Sequence, residues 1–322
     1  MPPELQRSGQ SLRARCCLRR VFNIAEADVP SELKDDEVLV AIEAAPINPS
    51  DIGPLFAPSY GGIGRFDGVE TGTDDAGRAT TALPVPDKTF AAVKDTPMMG
   101  RATRVGNEGA GRVVGAGASP AAQALKGKLV ACMGMGGSYS QHAVVNVAQC
   151  MEHLEGTTAE EAASSFVNPL TAVGMVKTMK AEGHSGIVHT AAASQLGQML
   201  VKLCKADGIP LVNVVRRPEQ VELLESIGAE FVVDSSADSY ESDLVKAMAG
   251  SGATICFDAL GGGTLGFEII RAMETAANMS GSERTGYGST TFKKLYICEC
   301  SRSLCVFFQP QRSGCPDGGL NA

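Results

Sequence analysis

The chain has no tryptophan, only 5% aromatic residues and four histidines. Scarce histidine confines acid–base and metal chemistry to few positions. His142 falls in a strand pattern, His153 and His184 lie near turns, and His189 ends a strand; none has a partner at a diagnostic spacing. No uninterrupted apolar run approaches the ~20 residues a spanning helix needs, so no membrane partner is expected. Positive charge is not in excess either: 28 basic against 36 acidic side chains give a net charge of −8. Phosphate backbones call for a basic face, so nucleic acid is not an expected partner. No Gly-x-Ser-x-Gly elbow and no Gly-x4-Gly-Lys-Ser/Thr loop occurs, which disfavours an α/β-hydrolase and a P-loop NTPase. An apolar segment ahead of a small-residue cleavage site is also missing, which disfavours secretion.

Glycine, at 37 of 322 residues, is abundant and implies many tight turns. The length suggests about two domains. The ten cysteines are uneven: Cys16 and Cys17 are adjacent, and Cys298, Cys300, Cys305 and Cys315 crowd the end. Cys132, Cys150, Cys204 and Cys256 stand apart in apolar surroundings, as buried small hydrophobes of a reduced compartment do. The first 25 residues carry Arg7, Arg13, Arg15, Arg19 and Arg20 against Glu4, which fits a divergent N-terminal strand or an organelle transit peptide. The corresponding locations are the cytoplasm or a mitochondrial or plastid matrix.

Residues 37–43 read as a strand, broken by Pro46 and Pro49. Residues 57–104 show little periodicity and form an insertion too long for an ordinary connection. Strands over 109–114, 128–133 and 139–145 then suggest a compact β-barrel-like domain to about residue 150. Thr158 and Glu161 form a capping-box pattern, and a helix is expected from Pro169 to Met179. Beyond it strands at 186–190, 211–215, 230–233 and 253–257 alternate with helices at 194–207, 218–227 and 239–249. That alternation means βαβ units and a parallel sheet.

The turn after Thr190 reads Ala191-Ala-Ala-Ser-Gln-Leu-Gly197. A helix N-terminus at this place suits a pyrophosphate, and small residues permit close backbone approach. Ala193, Ser194, Gln195, Leu196 and Gly197 are therefore candidate cofactor contacts, although a plain βα turn has the same appearance. The next strand ends at Val215 and runs into Arg216-Arg217. Arginine at this position accommodates a 2′-phosphate, so the pair points to NADPH over NADH, with a solvated helix start as the bland alternative. Asp258 opens a glycine turn, Asp258-Ala-Leu-Gly-Gly-Gly263, of the kind that faces a ligand crevice.

The set Ala45-Pro-Ile-Asn-Pro-Ser-Asp51, Gly106-Asn-Glu-Gly-Ala-Gly111, Phe166-Val-Asn-Pro-Leu-Thr-Ala172, Asn213-Val-Val-Arg216 and Phe257-Asp258-Ala-Leu-Gly-Gly resembles the medium-chain dehydrogenase/reductases. More narrowly it looks like the zinc-free branch of quinone reductases and 2-enoyl thioester reductases. The resemblance implies an α/β fold: a GroES-like β-barrel domain over 29–155, carrying the 57–104 insertion, and a Rossmann doubly wound parallel sheet over 156–297. NADPH and a small-molecule substrate would lie in the cleft between them. Segments 1–28 and 298–322 depart from the pattern, and the second domain is expected to be truncated at its C-terminus. Zinc-dependent relatives have Cys where this chain has Asn48 and His where it has Asn107, so no zinc is expected. The resemblance makes Tyr60 a candidate proton donor, or else a loop aromatic. Asn48 and Ser50 become candidate substrate contacts, or ties of the Pro46–Pro49 turn. It places Asn168 and Thr171 near the nicotinamide, with helix capping at Asn168 compatible. Relatives usually pair through Rossmann edge strands, so a homodimer is the expected partner arrangement. The implied activity is NADPH-dependent, zinc-independent hydride transfer to a quinone or α,β-unsaturated carbonyl. The alternatives are a 2-enoyl thioester reductase, or an NADPH-binding protein with little turnover.

Overall fold

The computed structural model describes residues 19–56, 69–85, 91, 95, 104–134, 137–280, 284–285 and 288–298. The chain divides into two compact units, Met1–Ala163 and Ser164–Ala322.

In the N-terminal unit β2 (Glu37–Ala44) follows β1 (Arg19–Asn23) and precedes α1 (Pro49–Phe56). The strands β3 (Glu70–Thr73), β4 (Ala79–Pro84) and β5 (Glu108–Ala116) come next, then α2 (Pro120–Leu125). They are followed by β6 (Leu129–Met133), β7 (His142–Asn146), β8 (Cys150–Glu152) and α3 (Ala159–Ala163). Five strands form an antiparallel sheet in the order β7-β2-β5-β6-β8. Its inward row is set by period-two alternation: Val38, Val40, Val113, Val130, Cys132, Ala143 and Val145 share one core. Gly111 is required where β5 crosses β2, because a Cβ there would lie 1.8 Å from the Ala41 carbonyl oxygen.

β2 ends ahead of Pro46 and Pro49, as expected, and α1 begins at the second of them. Proline lacks an N–H that the first helical turn does not use, so Pro49 starts a helix. The 57–104 stretch is not without structure. It contains the β3–β4 hairpin, closed by Asp74, whose carboxylate accepts from the Ala76 and Arg78 N–H groups and pairs with the Arg78 guanidinium at 2.7 Å. β4 also pairs with β1, Asn23 opposite Thr80, which ties the start of the described chain into a three-stranded sheet. The capping box forms as expected: Glu161 N–H donates to Thr158 Oγ1, and Thr158 N–H donates to the Glu161 carboxylate.

The C-terminal unit opens with α4 (Val167–Ala181) and β9 (Ile187–Thr190). It continues through α5 (Gln195–Asp207), β10 (Leu211–Val215), α6 (Pro218–Ser226), β11 (Phe231–Asp234), α7 (Tyr240–Ser251) and β12 (Ile255–Asp258). The amphipathic α8 (Leu265–Met279), a short β13–β14 hairpin (Arg284–Thr285 and Gly288–Ser289) and β15 (Lys294–Ile297) complete it. All five long strands are parallel, in the order β11-β10-β9-β12-β15. Numbered from β9 this is the 3-2-1-4-5 order of a Rossmann sheet, whose ligand crevice opens at the carboxyl ends where the order reverses, beside β9. Both faces are covered, so its strands are mainly apolar, with His189, Thr190, Asn213 and Asp258 as buried polar exceptions; Leu200, Leu224 and Phe257 pack on one face, Leu244, Ile269 and Met273 on the other. No helix among the described residues is long and apolar enough to cross a membrane.

Candidate functional site

Each unit brings polar groups together in its own way. In the C-terminal unit β9 ends in a turn whose Ala191 adopts a φ of 52°, the one positive value outside glycine among the described residues. Left-handed backbone costs a non-glycine residue roughly 1–2 kcal/mol, and such strain concentrates at ligand-binding turns. Ser194 caps α5 by accepting from the Gly197 N–H at 3.2 Å. Gly197 itself admits no side chain: a Cβ would lie 2.0 Å from the Ala192 carbonyl oxygen. The N–H groups of Gln195 and Leu196, in the first turn of α5, have no acceptor among the described residues. They stand at the positive end of a 13-residue helix. Ala193 accepts from the Gln198 side chain, which braces the turn.

Arg216 and Arg217 follow β10 directly, next to the end of β9 in the sheet. Both are exposed, and neither guanidinium has an ion-pair partner among the described residues. The Arg216 N–H is held by the Gln220 side chain at 3.1 Å, so the backbone of the turn is fixed while both side chains remain available. Asp258 behaves differently. It is buried, and its Oδ1 accepts from the Thr190 hydroxyl at 2.7 Å and the Leu260 N–H at 3.0 Å. It fastens the end of β12 to the end of β9. In α4 the cap position is Phe166, so Asn168 sits inside the first turn and the helix-capping reading is corrected. The exposed Thr171 hydroxyl donates to the Val167 carbonyl at 2.6 Å.

In the N-terminal unit the start of α1 meets the start of β5. Asp51 is 1% and Glu108 0% exposed. Asp51 accepts from the Asn48 N–H at 2.8 Å and the Asn107 N–H at 2.9 Å. Asn48 donates its side-chain amide to Glu108 at 2.8 Å, and Asn107 donates its own to the Ser50 hydroxyl oxygen at 3.0 Å. Ser50 thus accepts, while its own hydrogen reaches no acceptor among the described residues. Tyr60 lies outside the described residues. Sequence reasoning missed Tyr139, whose hydroxyl donates to the Pro46 carbonyl at 2.9 Å. Burial and the Asp51 carboxylate lift its pKa to about 12. No spacing rule joins two residues 93 positions apart.

No group of three or more His, Cys, Asp or Glu side chains suited to a metal occurs among the described residues. The zinc-ligand positions hold Asn48 and Asn107, whose amides are both engaged as donors, so the donor set does not fit Zn²⁺. The residues around α5 and β10 do fit a dinucleotide phosphate.

Residues 196–282 match the family model described as zinc-binding dehydrogenase. A quinone oxidoreductase of Pseudomonas aeruginosa is 25% identical over 166 residues, 51% of each chain. A mitochondrial enoyl-[acyl-carrier-protein] reductase of Arabidopsis thaliana is 25% identical over 227 residues, 69% of this chain and 50% of that one. A solved structure from Mesorhizobium loti, assigned as an NADPH:quinone reductase, is 32% identical, with a TM-score of 0.56 over 76% of this chain and 61% of that one. These likenesses are to quinone and enoyl reductases of the medium-chain dehydrogenase/reductase superfamily. The fold of the chain is accordingly the GroES-like and Rossmann combination expected for this superfamily. The chain spans about half the length of the curated relatives it matches.

Proposed function

We propose that the protein is an NADPH-dependent, zinc-independent oxidoreductase that reduces a quinone or an α,β-unsaturated carbonyl. The carrying observation is the exposed, unpaired Arg216–Arg217 beside a βα turn with two open N–H donors. Gln195 and Leu196 would hold the pyrophosphate with their N–H groups, with Ala193, Ser194 and Gly197 shaping the approach. Arg216 and Arg217 would clamp the 2′-phosphate with charge-assisted bonds. Asn168 and Thr171 are the proposed contacts toward the nicotinamide, and Asp258 holds the two strand ends that carry the turns. NADPH, when bound, supplies the hydride.

Hydride addition to a conjugated carbonyl builds negative charge on its oxygen, which needs a donor already aimed at it. Ser50 is the proposed donor, because its oxygen accepts from Asn107 while its hydrogen reaches no acceptor among the described residues. Asn48, tied to Glu108, holds the turn that presents Ser50, and Tyr60 is the proposed proton source. The likeness to the Arabidopsis enoyl-[acyl-carrier-protein] reductase supports a second reading, reduction of a 2-enoyl thioester. NADPH titration followed by assay with a quinone and with a crotonyl thioester separates the two. Oxidation with the quinone supports the first reading and oxidation with the thioester the second. Tight NADPH binding with no oxidation by either acceptor would overturn both.

A further inference from the structure

The sequence sets Cys132 and Cys150 apart as isolated thiols, yet the sheet makes them direct neighbours. In the antiparallel β6–β8 ladder Val130 faces Glu152, Ala131 faces Met151 and Cys132 faces Cys150. Opposite pairs in such a ladder alternate between hydrogen-bonded and non-hydrogen-bonded. The His153 N–H donates to the Leu129 carbonyl, which makes that pair a bonded one. Counting three rows along, Cys132 and Cys150 form a non-bonded pair. Such pairs bring Cα atoms to about 4.5 Å, inside the range that a disulfide spans. Both side chains point to the same face: Cys132 is a core residue there and Cys150 packs against that core.

We propose that Cys132 and Cys150 are a covalent modification site, joined by a cross-strand disulfide when the protein meets hydrogen peroxide. Cys150 is partly exposed and Cys132 is buried, which gives them distinct roles. The Cys150 thiolate attacks peroxide: an S–O bond forms, the O–O bond breaks and water leaves. Cys132 sulfur then attacks the Cys150 sulfur. The S–S bond forms, the S–O bond breaks and a second water departs. The two thiols lose two electrons and two protons, both taken up by the peroxide. Cys150 must first turn away from the Asn146 carbonyl, to which its thiol donates at 3.6 Å. Burial raises Cys150 to about 11 and Cys132 to about 12, the latter also through Cys150, so the thiols resist adventitious oxidation and the reaction is slow at neutral pH. Across the sheet Cys132 also faces Gly109 of β5, one residue along that strand from Glu108.

Tryptic cleavage tests this directly, because Leu129–Lys177 has no internal Lys or Arg and holds these two cysteines alone. Full-length reduced protein is treated with peroxide, quenched in denaturant with N-ethylmaleimide and digested. The expected peptide is lighter by two hydrogens and unlabelled, and dithiothreitol restores two labels. A peptide with both cysteines still labelled, or with Cys150 over-oxidised or joined to a terminal cysteine, overturns the proposal. In Cys132→Ala the sulfenic acid on Cys150 should accumulate and react with dimedone several-fold more than in the native protein; equal labelling counts against the pair.

Discussion

In the N-terminal unit, Asp51 and Glu108 are buried among donors from Asn48 and Asn107, and most of that cluster is closed on itself. In the C-terminal unit, the N–H groups of Gln195 and Leu196 and the guanidinium groups of Arg216 and Arg217 are open. The two arrangements call for different physics. A closed cluster stabilises the fold and changes little when a ligand arrives. Open donors contribute nothing to the fold and are worth their full interaction only when something negative binds. Substitutions should therefore separate cleanly, with stability lost in the first region and affinity in the second.

The largest expected effect is at Asp51. In Asp51→Ala two buried N–H groups lose a charged acceptor, which should cost about 4 kcal/mol in unfolding free energy. Urea unfolding measures it, and NADPH affinity of the folded fraction should stay within twofold. A loss below about 1 kcal/mol would mean that the cluster is not closed in solution.

His189 carries the closed type of arrangement into the C-terminal unit. It is fully buried, with Nδ1 bonded to the Phe257 carbonyl and Nε2 unpartnered. Burial holds its pKa down to about 4, against the opposing pull of that carbonyl and of Asp258. A folded value below the ordinary 6.5 means that the unfolded chain takes up the proton first. Its contribution is complete above pH 6.5 and is lost as pH falls toward 4. The loss is roughly 3 kcal/mol over that window. Urea midpoints at pH 7, 5.5 and 4.5 should fall more steeply for the native protein than for His189→Gln. Parallel slopes would show that the imidazole is not buried neutral.

For the open arrangement, Arg216→Ala with Arg217→Ala should raise the NADPH dissociation constant about 10–100-fold, the worth of one or two charge-assisted bonds. NADH affinity and the unfolding midpoint should not move. Equal losses for both cofactors would remove the 2′-phosphate assignment, and a shifted midpoint would mean that the pair is structural.

Much of the C-terminal unit is readable from sequence because its rules are local. The Leu200 and Cys204 face and the alternation of strand and helix follow from spacings within one element or between neighbouring ones. Even there α8 goes unread, although Ile269, Ala272, Met273 and Ala276 recur at helical intervals, because the three glycines before it look like the end of a unit. The N-terminal unit is less legible, since its order comes from distant pairings: β1 with β4, Asn48 with Glu108 and Tyr139 with Pro46. The motif around Asn48 shows where chemistry gathers. Only the fold shows that Asn48 faces inward to Glu108 while the Ser50 hydrogen stays uncommitted.

The smallest effect probes the turn itself. Ala191 holds a φ of 52° with a Cβ that this conformation penalises. Ala191→Gly removes that penalty but adds freedom to the unfolded chain, so the net gain is about 0.5–1 kcal/mol. If the strain serves only to aim the α5 N–H groups, the glycine variant should unfold at higher urea and bind NADPH within about threefold of the native protein, because Ser194 and Gly197 still fix the helix start. Weaker binding beyond that, with the stability gain intact, would show that the methyl group helps hold the donors in place. The open region would then depend on a packing contact, as the closed one does.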